Sequence, residues 1–108
     1  MKISELAEKL HLEVLTMPDP DAAVTGGYAG DLLSWVMGRA AAGQVWITIM
    51  SNINVVAVAS LSGVSAVLLA ENVEIADDVV QKATAQGINL LRTAAPVFEA
   101  CLSVGQLL

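Results

Sequence analysis

Three glycines within five residues mark the stretch whose residue types come nearest to ligand chemistry. This stretch, Thr25-Gly26-Gly27-Tyr28-Ala29-Gly30-Asp31, lies between a predicted strand and a predicted helix. A glycine-rich turn lets a ligand approach the backbone closely, and the free N–H groups of the next helix could bind an anion such as a phosphate. A structural tight turn is favoured instead, because the spacing matches neither standard phosphate-binding glycine motif and Asp31, the predicted N-cap, would repel an anion. Both interpretations stay open, and the candidate ligand-binding residues are Thr25, Gly26, Gly27, Tyr28 and Asp31.

A second candidate site, Ser51-Asn52-Ile53-Asn54, follows a predicted strand and begins a predicted helix. Open α/β sheets bind their ligands at the carboxyl ends of the parallel strands, and two asparagine amides could hydrogen-bond a base or an amide group there. Helix capping by Ser51 or Asn52 accounts for one of the polar side chains and leaves another unexplained. Ser51, Asn52 and Asn54 are therefore added to the candidate ligand-binding residues.

Signals for catalysis or metal binding are weak throughout the chain. His11 is the single histidine, so a metal site would depend on carboxylates. Asp19, Asp21 and Asp31 could bridge a divalent cation, although a solvated loop explains the first two more simply. One histidine cannot define a nucleophilic triad with any of the serines, and Cys101 is expected to be buried filler between apolar neighbours. The sequence therefore predicts no catalytic residue, no metal site and no cofactor.

The composition limits the classes of protein to which the chain can belong. Its 108 residues are 56% hydrophobic and 15% charged, which describes one folded domain and excludes disorder and a coiled coil. Eleven acidic side chains against five basic ones give a net charge of −6, which disfavours binding to nucleic acid. A domain of this size can hardly bury so much apolar surface alone, and this excess predicts a homodimer.

An uncharged segment from Ala40 to Ala70 raises the question of a membrane span. Turn or cap signals at Gly43, Ser51-Asn52 and Ser62-Gly63 divide this segment into pieces of strand and short-helix length. We therefore expect a buried strand, helix and strand, and no membrane association. The N-terminus lacks the apolar stretch of a secretory signal and the chain has a single cysteine, so the expected location is the cytoplasm.

The elements that must position the candidate residues follow an alternating pattern. A first helix, capped by Ser4, is predicted through Leu10, and strands over 12–16 and 23–28 are expected to pair with each other across a proline-containing loop. Further helices are predicted over 31–41, 53–61, 76–86 and 96–107, and further strands over 45–50, 64–69 and 88–92. This alternation predicts a single compact α/β domain with a mostly parallel sheet flanked by helices, plus an N-terminal helix and strand pair.

The run VTGGYAGDLLSWVM from Val24 to Met37 is similar to the signature of DRTGG-domain proteins. The segments VWITI at 45–49 and NINVVAVA at 52–59 resemble the central strand and helix of the same domain, and the likeness continues to Glu99. Thr25-Gly26-Gly27 is present, whereas Ala23 and Val24 stand in place of the Asp-Arg pair of the family name. The resemblance implies one DRTGG-like domain over residues 1–108, similar also to the N-terminal domain of HPr kinase/phosphorylase.

The resemblance also carries an expectation about function. DRTGG domains occur beside CBS domains in regulated pyrophosphatases, within phosphotransacetylases and as stand-alone proteins. The implied role is a non-catalytic regulatory or assembly module that homodimerises and binds a small ligand such as a nucleotide. One alternative is an adaptor that docks on a larger enzyme complex. Another is a phosphotransfer enzyme that uses Asp31 and the glycine turn, for which Arg39 is the nearest cation in sequence.

Overall fold

The structure is a computed structural model that describes residues 1–108. The five strands are β1 Glu13–Thr16, β2 Gly26–Ala29, β3 Gln44–Thr48, β4 Ala66–Leu69 and β5 Leu90–Arg92. The five helices are α1 Ile3–Lys9, α2 Leu33–Arg39, α3 Asn54–Ser62, α4 Asp77–Ala85 and α5 Val97–Gln106. The predicted single α/β domain, with a mostly parallel sheet flanked by helices, is confirmed.

The strands form one sheet in the order β1-β5-β4-β3-β2. Strands β2, β3, β4 and β5 are parallel, and β1 pairs antiparallel with β5. The predicted pairing of the first two strands is therefore wrong, because β1 and β2 are the opposite edges of the sheet. The loop between them crosses the whole width of the sheet instead of closing a hairpin.

Successive strand residues alternate between two apolar cores, as the pleat of a strand requires. The first core holds Trp46 with side chains of α2, α3 and α4, and the second core holds Val45 and Ile47 with side chains of α1 and α5. Trp46 has no exposed surface and is the largest fully buried side chain. Both faces of the sheet are thus covered, which explains the uncharged strands of the middle segment.

The middle segment folds as the predicted strand, helix and strand, namely β3, α3 and β4. The predicted cap by Ser51 or Asn52 is wrong, because the residue that precedes α3 is Ile53. Asn52 Oδ1 accepts a hydrogen bond from the Asn54 N–H at 2.9 Å, in the turn that leads into this helix. Gly63 ends it in the left-handed conformation with a φ of 72°. None of the helices reaches the length and apolar character that crossing a membrane requires.

The strand predicted over 23–28 is found as β2, Gly26–Ala29, so most of the glycine stretch belongs to this strand and the predicted tight turn is wrong. A Cβ at Gly27 would lie 3.6 Å from the Val45 carbonyl and 3.9 Å from the Val104 side chain of α5, which are ordinary contact distances, so packing does not demand glycine there. Two predicted caps are also wrong. Ser4 lies inside α1, which begins at Ile3, and the residue that precedes α2 is Leu32 rather than Asp31.

A buried amide holds the loop that joins the two edge strands. Asn89, 2% exposed, donates from Nδ2 to the carbonyls of Asp19 at 2.7 Å and Ser65 at 2.9 Å. Its Oδ1 accepts from the Asp19 N–H at 2.9 Å. Ser65 Oγ donates to the Ala23 carbonyl of the same loop. These bonds fix the path of the chain from β1 to β2, together with the packing of Met17, Ala22 and Val24 against the second core.

Candidate functional site

Asp31 lies at the carboxyl edge of the sheet, where β2 and β3 end. Its Oδ1 accepts hydrogen bonds from Thr48 Oγ1 at 2.8 Å and from the Ile49 N–H at 3.1 Å. Thr48 is fully buried, and its Oγ1 also accepts from the Met50 N–H at 3.1 Å. The Asp31 carboxylate therefore ties the end of β2 to the end of β3, which is the physical reason that it does not cap α2.

The indole of Trp46, in the first core, holds the backbone at this edge. The indole Nε1 donates to the Gly30 carbonyl at 2.9 Å, and the Gly30 N–H donates to the Ile47 carbonyl at 3.2 Å. A Cβ at Gly30 would lie 3.1 Å from the ring of Tyr28, so the glycine lets that ring lie against the backbone. The carboxyl edge between β2 and β3 is thus rigid and presents an exposed carboxylate to solvent.

A groove opens beside this edge, between α2 and α3. Its volume is about 600 Å³, and its lining is Leu33, Ser34, Met37, Gly38, Asn54, Ala57 and Val58. Since α2 and α3 start at the carboxyl ends of β2 and β3, the upper end of the groove lies at the carboxyl edge. Ser34 and Asn54 are exposed polar side chains at that end, above a mainly apolar floor. The groove has the size and the mixture of apolar and polar groups found in small-molecule sites.

Charge around the groove is sparse. The sequence of α3 contains no charged residue, and α2 contains only Arg39, whose guanidinium lies 3.8 Å from the centre of the Trp35 ring. This distance makes a cation–π contact on the exposed surface of α2. With Asp31 as the nearby acid and Arg39 as the one cation of α2, the groove is better suited to a neutral ring system than to a phosphate.

A second, smaller cavity lies at the β2 edge on the other face of the sheet. Its volume is about 260 Å³, and its lining is Gly27, Tyr28, Ala29, Ile47, Cys101, Val104, Gly105 and Leu108. The lining contains no charged side chain. Burial raises the pKa of the Cys101 thiol, which makes this cysteine a poorer nucleophile than a free thiol.

The sequence-predicted site residues fall into three places. Asp31, Ser51, Asn52 and Asn54 lie around the carboxyl ends of β2 and β3 and the start of α3. Gly27 and Tyr28 line the small cavity under α5. Thr25 and Gly26 lie at the amino end of β2, where the Thr25 N–H donates to the Gly43 carbonyl at 2.9 Å. Of the residues predicted from the glycine stretch, only Asp31 therefore lies near the second predicted site, Ser51 to Asn54, at the upper end of the groove.

Sequence reasoning missed Thr48 and the groove residues on α2. Thr48 is the last residue of the apolar strand β3, and its hydroxyl is buried. A threonine at the end of a predicted buried strand could have indicated a polar contact at the carboxyl edge of the sheet. Ser34 and Gly38 are four residues apart on one side of α2, and their small size leaves the groove open beside α3. No group of three or more His, Cys, Asp or Glu side chains lies close enough to hold a metal ion.

The strongest ion pair lies far from these residues, at the β1 edge. Arg92 Nε and a second guanidinium nitrogen donate to the two Glu13 carboxylate oxygens at 2.9 and 3.0 Å. The hydrogen bond from Arg92 holds the pKa of Glu13 below its ordinary value, and Glu13 raises the pKa of Arg92. Both carboxylate oxygens of Glu13 are thus paired with the guanidinium of Arg92.

No protein-family model matches the sequence, and no curated protein matches it. Among solved structures, the chain is similar to the crystal structure of the CBS and DRTGG domains of the regulatory region of Clostridium perfringens pyrophosphatase, in complex with the activator diadenosine tetraphosphate. The TM-score is 0.73 at 14% sequence identity, and the match covers 98% of this chain and 46% of that chain. The chain thus spans less than half the length of that regulatory region and has a DRTGG-like fold.

Proposed function

We propose that this protein is a non-catalytic regulatory module that homodimerises and binds a nucleotide, with the base in the groove between α2 and α3. The groove itself carries the proposal. It combines about 600 Å³ of volume with an apolar floor and two exposed polar side chains, Ser34 and Asn54, at its upper end. An asparagine amide both donates and accepts hydrogen bonds, as recognition of the edge of a base requires.

The position of the groove supports the same ligand class. It opens at the carboxyl ends of β2 and β3, the edge at which open α/β sheets bind ligands. The Asp31 carboxylate beside it can accept hydrogen bonds from sugar hydroxyls, as acidic residues at strand ends do in dinucleotide-binding folds. Phosphates would then extend away from Asp31 into solvent, because this acid would repel them.

Two further observations favour regulation over catalysis. The pyrophosphatase chain that shares this fold is a regulatory region that binds a nucleotide activator, and nucleotide binding is inferred for this chain from that likeness together with the groove. The second observation is electrostatic. Phosphoryl transfer needs cations that neutralise the transferring group, and Arg39 is the one basic residue of α2 and α3.

Thermal unfolding in the presence of adenine and guanine nucleotides tests the proposal. A nucleotide at about 100 times its Kd stabilises the folded chain by about 2.7 kcal/mol, which raises the Tm by roughly 10 to 20 °C for a domain of this size. Gly38→Leu fills the groove and is expected to abolish the shift, since a Cβ at Gly38 meets no atom within 4 Å and the larger side chain enters open space.

Two milder variants separate binding from folding. Asn54→Ala removes the amide at the upper end of the groove and is expected to weaken nucleotide binding about tenfold or more. Ser60→Ala is the matched control, because Ser60 is an exposed residue of the same helix outside the groove. If no nucleotide shifts the Tm of the wild type, or if Gly38→Leu leaves a shift intact, the groove is not a nucleotide site.

A further inference from the structure

Strand β2 has an open edge. The Thr25 N–H donates to the Gly43 carbonyl of the neighbouring segment, and in a parallel ladder alternate residues bond to the same neighbour. The N–H and carbonyl groups of Gly26 and Tyr28 therefore point away from β3. Since β2 is the last strand of the sheet, no further strand of this chain pairs with them. An open row of backbone donors and acceptors fits one kind of occupant, which is another extended strand.

Apolar side chains flank this edge on both faces of the sheet. Helix α5 packs against β2 and presents Phe98 and Leu102, and Leu108 follows its end. These three side chains are at least half exposed. On the other face, Leu33 and Met37 line the groove with α3, so Leu32 and Trp35 lie on the opposite side of α2, toward the β2 edge. Leu32 and Trp35 are also more than half exposed.

The charge distribution identifies a second copy of this chain as the partner. On the β2 side of the sheet, strand β2 and helices α2 and α5 contain two charged side chains, Arg39 and Glu99. On the β1 side, strand β1 and helices α1 and α4 have a similar total length and contain seven charged side chains. Each copy carries a net charge of −6, so contact at the β1 side would bring like charges together. Contact at the β2 side keeps most of these charges apart.

The exposed apolar side chains at the β2 edge supply more than half of the area of a standard contact. The exposed parts of Phe98, Leu102, Leu108, Leu32 and Trp35 equal about three whole large side chains, or roughly 500 Å² at ~150–250 Å² each. A standard interface buries about 800 Å² on each partner. The backbone of β2 and the small cavity beneath α5 lie between these side chains and supply further contact area.

From these observations we infer that β2 is the contact strand of a homodimer. The β2 strands of two copies pair antiparallel about a two-fold axis, and the two five-stranded sheets join into one sheet of ten strands. Phe98 and Trp35 cover the junction on its two faces. This inference rests on the homodimer part of the proposed function and specifies its surface.

The test measures the mass of the full chain in solution by sedimentation equilibrium. The wild type is expected at twice the 11.2 kDa of one chain. Phe98→Glu and Gly26→Pro are both expected at the single-chain mass. The first places like charges at the two-fold contact, and the second removes an outward-facing N–H without touching the β2–β3 ladder. Leu61→Glu is the matched control, because Leu61 on α3 is 74% exposed and Phe98 is 75% exposed, and it is expected to remain a dimer.

Amide hydrogen exchange adds a direct reading of the strand pairing. The Tyr28 amide is expected to exchange at least tenfold more slowly in the wild type than in Phe98→Glu. A wild-type dimer that persists in both edge variants, or that leaves the Tyr28 amide in fast exchange, overturns the inference while homodimerisation stands. A monomeric wild type overturns both, and the nucleotide shift then tests the ligand part of the proposed function separately. Dissociation of Leu61→Glu with the edge variants still dimeric would place the contact on α3.

Discussion

The two edges of the sheet are built in opposite ways. At β1 the ladder to β5 is irregular between Val14 and Thr16, and Glu13 forms a two-point ion pair with Arg92. Helix α4 also packs on β1, where the Thr16 and Thr84 hydroxyls are 2.6 Å apart. Strand β2 has a regular four-residue ladder to β3 and no charged side chain. Irregularity and charge protect an edge strand from pairing with another chain. The difference indicates that β1 is a closed edge, protected from pairing with another chain, and that β2 is an open one.

The largest effect is expected from the loop that connects the two edges. Asn89→Ala removes three hydrogen bonds and leaves the Asp19 N–H and two carbonyls without their partner. We expect a loss of about 3 kcal/mol in the free energy of unfolding, measured by urea denaturation. Asn54→Ala, at an exposed asparagine, is the control and should change stability by less than about 0.5 kcal/mol. A loss below about 1 kcal/mol for Asn89→Ala would mean that other contacts hold the path from β1 to β2.

The amino end of β2 gives the next largest effect. Gly43 has a φ of +85°, and a Cβ there would lie 2.5 Å from Thr25 Oγ1. Gly43→Ala is therefore expected to cost about 2 kcal/mol, part from the left-handed backbone and part from the collision with Thr25. Adding Thr25→Ala should restore only the second part.

Gly38→Ala is the control for the glycine substitution. A Cβ at Gly38 meets no atom within 4 Å, and the residue lies inside α2. Alanine there should stabilise the chain by about 0.5–1 kcal/mol. Equal losses at Gly43 and Gly38 in thermal unfolding would mean that close packing at the amino end of β2 does not depend on the glycine.

The carboxyl end of β2 should respond more weakly. Thr48→Val keeps the shape of a buried side chain and removes its hydrogen bond to Asp31, at an expected cost of about 1–2 kcal/mol. Asp31→Ala should cost a similar amount. The double variant should cost less than the sum of the two, because both variants remove the Thr48–Asp31 bond, while Thr48→Val also frees the Met50 N–H and Asp31→Ala also frees the Ile49 N–H. Fully additive losses in this double-mutant cycle would contradict the link and favour an independent role for Asp31.

Much of the fold could be predicted from the sequence, because glycine and polar residues punctuate the apolar segments. Gly63 marked the end of α3 and Ser51-Asn52 marked the break before it, and the strand, helix and strand between Gln44 and Leu69 followed from them. The pairing of β1 with β5 could not be predicted. It depends on Asn89 and on the ion pair of Glu13 with Arg92, and these contacts join residues that are more than 65 positions apart.

The candidate site shows the same limit. Two asparagines after an apolar strand correctly placed polar groups at the start of α3. The glycine stretch was interpreted as a tight turn because three glycines are typical of a turn, whereas Gly26–Ala29 pairs with β3 as strand β2. Asp31 was assigned to a helix cap from its local position, and its partners Thr48 and Ile49 lie at the end of β3 and just beyond it.

The smallest expected effect is a pH dependence that belongs to the β1 edge. The Arg92 hydrogen bond lowers the pKa of Glu13 in the folded chain below the ordinary value of 4.5. The folded state therefore favours the carboxylate, and the ion pair contributes stability above pH 4.5 that is lost as the pH falls through the lower, folded-state pKa. Glu13→Gln should unfold at a lower denaturant concentration than the wild type at neutral pH, and this difference should shrink as the pH falls below 4.5.

Glu8→Gln is the matched control, because Glu8 is an exposed glutamate of α1 that forms no salt bridge. Its unfolding midpoint should stay close to that of the wild type across the same pH range. A difference between Glu13→Gln and the wild type that persisted unchanged at acid pH would mean that the Glu13 side chain stabilises β1 by packing and not by charge. The closed edge would then owe its protection to the irregular ladder and to α4, and the contrast with β2 would rest on geometry alone.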